Sequence, residues 1–156
     1  MRQLKLSSKQ IRALGLAVFL LLCDQISKWI VIDFFTNHYD QTRLVLTPFL
    51  NLVIVYNRGI SFGLFHNSPP LIEWLLFILI IAMILVILRW FYRAQTDIER
   101  FALAMVLGGA VGNIIDRIFR YGVVDFIDFH LFYWHWPAFN LADSLIVIGA
   151  IIIIFN

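Results

Sequence analysis

Residues 13–32, ALGLAVFLLLCDQISKWIVI, form a twenty-residue stretch in which only Asp24 and Lys28 carry charge, and these two stand one helical turn apart near its far end. That length and polarity suit a helix crossing a bilayer. Three more apolar clusters follow, from Ile72 to about Trp90, from Phe101 to about Ile118, and from about Leu141 to Phe155. No charge-free run reaches the roughly eighteen residues usually demanded of a span. The longest, Trp74–Leu88 and Phe101–Ile115, have fifteen each, so the reading rests on clusters. The composition agrees: of 156 residues, 62% are hydrophobic and only 14% charged, about half the charge of an ordinary soluble domain. A net charge of +2 leaves no nucleic-acid footprint.

Basic residues orient the spans. Arg2, Lys5, Lys9 and Arg12 precede the first cluster, and Arg89, Arg93 and Arg100 lie between the second and third. The other side carries Lys28, Arg43, Arg58, Arg117 and Arg120, in or beside two longer loops at about 33–71 and 119–140. Both termini are therefore expected in the cytoplasm. The basic start could belong to a cleaved signal peptide, but no small-x-small site follows and Asp24 and Lys28 continue the helical pattern. Cys23 follows Leu22 where a lipobox needs a small residue, and reads as an ordinary buried thiol. One thiol with four scattered histidines gives no metal-ligand spacing. Neither a metal nor another cofactor is expected.

The two longer loops are wet and greasy together. Leu50 to Phe65 reads as extended segments around Asn57-Arg58-Gly59, ending near Pro69-Pro70, which suggests a small sheet lying on the membrane. Phe34, Phe35, Tyr39, Phe49, Tyr56, Phe62 and Phe65 in the first loop, and Phe126, Phe129, Phe132, Tyr133, Trp134, Trp136 and Phe139 in the second, suit the membrane interface.

A charged side chain at the bilayer centre costs roughly 2.5 to 3.5 kcal/mol on insertion scales, so an intramembrane Asp is a candidate for function. The third cluster holds Gly108 and Gly112, a small-xxx-small face for close helix contact, followed by Asn113, Asp116 and Arg117. Asn113 and Arg117 share a face, and Asp116 with Arg117 also reads as a neutralised pair fixing the helix end. The fourth cluster opens with Asn140 and Asp143 three residues apart on one face. Asp143 there can simply complement the helix dipole. Asp125, in the apolar setting Val123-Val124-Asp125-Phe126, offers a second carboxylate that the connecting loop can fold back beside Asp143.

Two carboxylates in a partly dry site share one proton, which gives one base and one acid. The base takes a proton from a water attacking a peptide carbonyl, and the acid stabilises the oxyanion and assists the leaving amine. Asp128 lacks a matching counterpart and is expected to face solvent. Asp24 and Lys28 form a favourable i,i+4 pair that supports structure more than chemistry. His38, His66, His130 and His135 lie in aromatic loops and read as interfacial, and Ser144 has no obvious base.

Asp24-Gln25-Ile26-Ser27-Lys28, Asn57-Arg58-Gly59-Ile60-Ser61-Phe62-Gly63, Gly108 through Arg117, Val123-Val124-Asp125-Phe126 and Phe139-Asn140-Leu141-Ala142-Asp143-Ser144 together closely resemble lipoprotein signal peptidase, also called signal peptidase II. Their order and placement cover nearly the whole chain. The resemblance implies a bacterial inner-membrane aspartyl endopeptidase. Such an enzyme removes the signal peptide of diacylglyceryl-modified prolipoproteins by cutting just before the lipidated cysteine.

By that likeness Asp125 and Asp143 are the catalytic pair. Asn57, Gly59, Asn113, Arg117 and Asn140 line the site and hold substrate or aspartates, and Asp24, Lys28 and Asp116 support it. The family needs no metal and is inhibited by the cyclic peptide globomycin. Ile60 and Ser61 depart from the small residues frequent after the Asn-x-Gly motif.

The expected fold is an all-α membrane bundle of four transmembrane helices with a small periplasmic β-sheet on the membrane surface. It forms a single domain over 1–156 and works as a monomer among membrane lipids. A transporter or proton-conducting subunit would spread ionisable groups through the membrane depth. Here Asp24, Asp116, Asp125 and Asp143 gather toward the outer face. A purely structural subunit leaves that gathering unexplained.

Overall fold

Helices overlie all four apolar clusters in the computed structural model, which describes residues 6–59 and 70–156. The first, α1 (Ser8–Asp33), starts at a reciprocal cap: the Ser7 hydroxyl accepts from the Gln10 backbone N–H at 3.2 Å, and the Gln10 side chain accepts from the Ser7 N–H at 2.8 Å. It runs on into a π-helical turn at Phe34–His38. Helix α2 (Pro70–Arg93) begins on a proline, whose missing N–H is harmless in a first turn. Helix α3 (Asp97–Arg120) is capped by the Thr96 hydroxyl, which accepts from Glu99 N–H at 3.0 Å, and stops where Tyr121 turns left-handed at φ 58°. Helix α4 spans Leu141–Phe155.

Helix α3 is the hub, and its glycines make it so. A methyl at Gly108 would sit 2.8 Å from the Ala17 carbonyl oxygen of α1, and one at Gly109 would collide with the Ala142 carbonyl oxygen of α4. The expected small-residue face at Gly108 and Gly112 is therefore real contact with α1, and Gly109 adds a second contact with α4. Ala13, Ala17, Phe91, Ala94, Leu103, Ala104 and Leu107 fill the core where α1, α2 and α3 meet. The outward faces are apolar as well: Val18, Phe19 and Trp29 of α1 and Ile78, Leu79 and Val86 of α2 are all more than half exposed. A surface of that kind fits a lipid solvent. Among the described residues, Ser8–His38 and Asp97–Arg120 are long and apolar enough to cross a bilayer, whereas α4 has fifteen residues.

The two long loops join in one four-stranded antiparallel sheet of order β1 (Arg43–Thr47), β2 (Leu50–Asn57), β3 (Val123–Leu131), β4 (Trp134–His135). The extended stretch expected from Leu50 is observed as far as Asn57. Residues 60–69, with Phe62, Phe65, His66 and Pro69, lie outside the described residues, as do Arg2 and Lys5. Strand β2 pairs with β3 from Leu50 opposite Phe129 to Asn57 opposite Val123, which sets Val55 beside Asp125.

Phe35 and Phe126, expected at the interface, are instead buried at 9% and 8% exposure with Val31, where the sheet meets the end of α1. Burying two rings there gains more than leaving them at a half-polar boundary. Asp128, expected to face solvent, is also buried, at 8% exposure, because Asn51 and His135 supply the partners that the local sequence does not reveal. Cys23 is half-buried.

Candidate active site

Lys28 is the least expected resident of an apolar bundle, since its side chain is fully enclosed. The ammonium has three donors and uses all three, reaching Asp24 Oδ2 at 2.8 Å, Asp116 Oδ2 at 2.7 Å and Asn113 Oδ1 at 3.0 Å. Arg120 pairs with Asp116 from the other side, and Gln25 bridges the carboxylates of Asp24 and Asp116 at 3.1 and 3.2 Å. Burying ions is costly unless every lone pair and proton is satisfied, and here the cluster is satisfied. The anticipated Asp116–Arg117 pair does not form. Asp116 faces inward to Lys28, while Arg117 donates to the carbonyls of Asn113 and Gly59 at 3.3 and 3.2 Å.

The carboxylates of this cluster also hold backbone. Asp24 Oδ1 accepts from Ala142 N–H at 3.0 Å, in the first turn of α4. Asp116 Oδ2 accepts from Val124 N–H at 3.2 Å, one residue before Asp125. One buried ion cluster therefore places both the start of α4, with Asp143, and the start of β3, with Asp125. Asp24 and Lys28, expected from the sequence as a helical pair, thus reach α4 and, through Asp116, β3.

Asn140 joins the two carboxylates. Its Nδ2 donates to Asp125 Oδ1 at 2.8 Å, its backbone N–H donates to Asp143 Oδ2 at 3.2 Å, and its Oδ1 accepts from Asp143 N–H at 2.9 Å. The last two contacts form a capping box, so Asp143 does complement its helix start while also facing Asp125. Asn57 Nδ2 donates to Asp125 Oδ2 at 3.1 Å, and Asn113 Nδ2 donates to Asp143 Oδ1 at 2.8 Å. Gly59 is buried, and its N–H donates to Asn57 Oδ1 at 3.1 Å, fixing that amide's orientation. Asp24, Lys28, Asn57, Gly59, Asn113, Asp116, Arg117, Asp125, Asn140 and Asp143 thus belong to one connected constellation.

Burial first, and then the neighbouring Asp143, push Asp125 from the usual carboxylate range up to about 7, against the opposing pull of hydrogen bonds from Asn57 and Asn140 and the charge of Lys28. A carboxyl in that state keeps its proton far closer to neutral pH than an ordinary one does. Ser144 donates its hydroxyl to the Asn140 carbonyl at 3.1 Å, an ordinary helix-start contact. A cavity of about 580 Å³ opens beside Asp143, walled by Trp136, Phe139, Ile146 and Val147. What the sequence reading missed is Gln25 and Arg120, whose polar positions at span ends gave the only clue.

A family model described as signal peptidase (SPase) II matches residues 16–156. The chain belongs to the signal peptidase II family. Lipoprotein signal peptidases of Burkholderia mallei (strain SAVP1) and Burkholderia vietnamiensis (strain G4 / LMG 22486) are each 42% identical over 144 residues, covering 92% of this chain and 85% of the relative. Two solved structures described as bacterial membrane enzymes superpose with TM-scores of 0.76 at 29% and 30% identity, covering 92% of this chain and 85% and 90% of theirs. As a member of the signal peptidase II family, the chain is a peptidase of membrane character.

Proposed function

We propose that the protein removes the signal peptide from diacylglyceryl-modified prolipoproteins, cutting immediately before the lipidated cysteine, with Asp125 and Asp143 sharing one proton. The observation that carries this reading is the single asparagine, Asn140, bonded to both carboxylates in a half-dry mouth. Asp143, at a helix N-terminus that favours negative charge, is the base. It takes a proton from a water whose oxygen attacks the peptide carbonyl. Asp125 donates its proton to the developing oxyanion. When the C–N bond breaks, the proton on Asp143 goes to the leaving amine, and Asp125 recovers its own as the new carboxyl forms.

Asn57, Asn113 and Arg117 hold the aspartates and the substrate backbone around them. Four helices cross the bacterial inner membrane with both termini in the cytoplasm, and the sheet rests on the periplasmic surface beside the site. The chain acts as a monomer among membrane lipids, and globomycin-type cyclic peptides occupy the same mouth. The conduction alternative gains no support, since Asp24, Asp116, Asp125 and Asp143 gather at one end of the bundle while Asp97 and Glu99 stand apart at the start of α3.

The test is cleavage of a lipidated prolipoprotein by the purified protein in lipid, with the unlipidated precursor as comparator and product masses as readout. The expected result is one cut, before the modified cysteine, in the lipidated form alone. Equal cleavage of both forms, or a cut elsewhere, would overturn the substrate assignment.

A further inference from the structure

A second polar cluster lies on the sheet, outside the peptidase constellation. Asn51 stands opposite Asp128, and His130 opposite His135, on one face of β2, β3 and β4. Asn51 Nδ2 donates to Asp128 Oδ2 at 2.7 Å, and Asp128 Oδ1 lies 2.9 Å from His135 Nδ1. The His135 ring stacks on His130, with centroids 5.0 Å apart. Asn51 is fully buried, and its Oδ1 and both ring nitrogens of His130 have no hydrogen-bond partner among the described residues. Enclosing such atoms costs about 1 to 3 kcal/mol each, so packing alone does not account for a polar clasp here.

The clasp sits on the path to the active site. From His135 the chain returns along β3: Trp136 N–H donates to the Phe129 carbonyl at 2.8 Å, the Phe139 N–H donates to the Ile127 carbonyl at 3.0 Å, and the Phe139 carbonyl accepts from Phe126 and Ile127 at 3.1 and 2.9 Å. The next residue is Asn140, and the residue before Phe126 is Asp125. Asp128 is therefore the side-chain anchor of a short antiparallel zipper whose far end is the Asn140–Asp125 hydrogen bond.

We infer that His135 and Asp128 are positioning residues for proteolysis: their bond sets the register of the return segment against β3 and so holds Asn140 on Asp125. The inference rests on the reading of Asp125 as half of the catalytic dyad. Partial burial acts to raise the Asp128 carboxyl, yet hydrogen bonds from His135 and Asn51 and the charges of His135 and Arg43 hold it below the ordinary range. His135 thus faces a standing anion, with His130 beside it on β3 and Arg43 of β1 facing the same carboxylate. Asp125, for its part, faces Asp143, Lys28 and Arg117. Losing the Asn140 hydrogen bond removes one of the influences that pull Asp125 down, so its titration must move to higher pH.

The experiment compares pH–rate profiles of the full chain in lipid, on a lipidated prolipoprotein, for wild type, His135→Leu, His135→Asn and Asp125→Asn. In His135→Leu, kcat is expected to fall about tenfold with KM little changed. The limb near pH 7, where the dyad loses its proton, should rise by about half a unit or more. His135→Asn keeps an N–H donor near the place of Nδ1 and should restore both.

A limb at the wild-type pH in His135→Leu would overturn the inference however much folded protein is lost, because limb position does not depend on the amount of active enzyme. Equal behaviour of the Leu and Asn variants would overturn it too. Activity in Asp125→Asn would instead remove the dyad, and the inference with it, so the two failures are told apart by that arm.

Discussion

Asp125 combines two roles that pull against each other, since the burial that makes it an acid near neutrality also makes its charged form unfavourable. A carboxyl raised in the folded state binds its proton more tightly there than in the unfolded chain. Its contribution to stability is therefore fully present below the unfolded value near 3.8 and fades as pH rises through about 7. Across that window the protein loses up to about 1.4 kcal/mol per pH unit from this group. Asp125→Asn should then melt higher than wild type at pH 8, with a flatter dependence on pH, as read by thermal scans in one lipid or detergent. Lys28 carries the opposite expectation. Lys28→Met strands the buried carboxylates of Asp24 and Asp116 and should cost about 3 to 5 kcal/mol, seen as a large fall in melting temperature. Asp24→Ala should also lower it, and a variant that melted normally yet lost all activity would assign Asp24 a direct contact with substrate.

Helix α3 governs the geometry because it touches α1 and α4 through glycine. At Gly109 the atom an added methyl meets first cannot swing aside, since it is the Ala142 backbone carbonyl oxygen in the first turn of α4, one residue before Asp143. Gly109→Ala should displace the start of α4 and cut kcat at least tenfold. Gly15 on the outer face of α1 has nothing within 4 Å, and Gly15→Ala should leave activity intact while gaining up to about 1 kcal/mol of helix stability. Parallel melting and rate measurements on the two variants decide the point.

Helix existence was legible from apolar clustering, and the Asp125–Asp143 approach from two acids in apolar settings flanking one short loop. Partners were less legible where they come from distant chain. Asp116 looked paired with its neighbour Arg117, but the helix turns Asp116 toward Lys28, 88 residues earlier, and Arg117 toward Gly59. Asp128 looked solitary because Asn51 reaches it only through the β2–β3 register, which single-strand patterns do not specify.

The molecule as a whole buries an ion cluster beside an apolar core, shows large apolar side chains on its outward faces, and gathers Asp24, Asp116, Asp125 and Asp143 toward one end. The proposed topology puts the sheet and site in the periplasm and the α2–α3 turn in the cytoplasm. With Cys23 changed to serine, a cysteine replacing exposed Asp40 should react with a membrane-impermeant thiol reagent from the periplasmic side, and one replacing exposed Gln95 should not. Labelling of Gln95→Cys alone would reverse the orientation.

Two carboxylates acting as one proton-sharing unit are tested most directly by single-turnover cleavage of a lipidated prolipoprotein by Asp125→Asn and Asp143→Asn, each inserted in lipid with wild-type folding. Each substitution should slow the chemical step at least about a hundredfold. Full-rate cleavage by either variant, or loss of cleavage in Ser144→Ala with Asp143→Asn active, would contradict the two-aspartate mechanism.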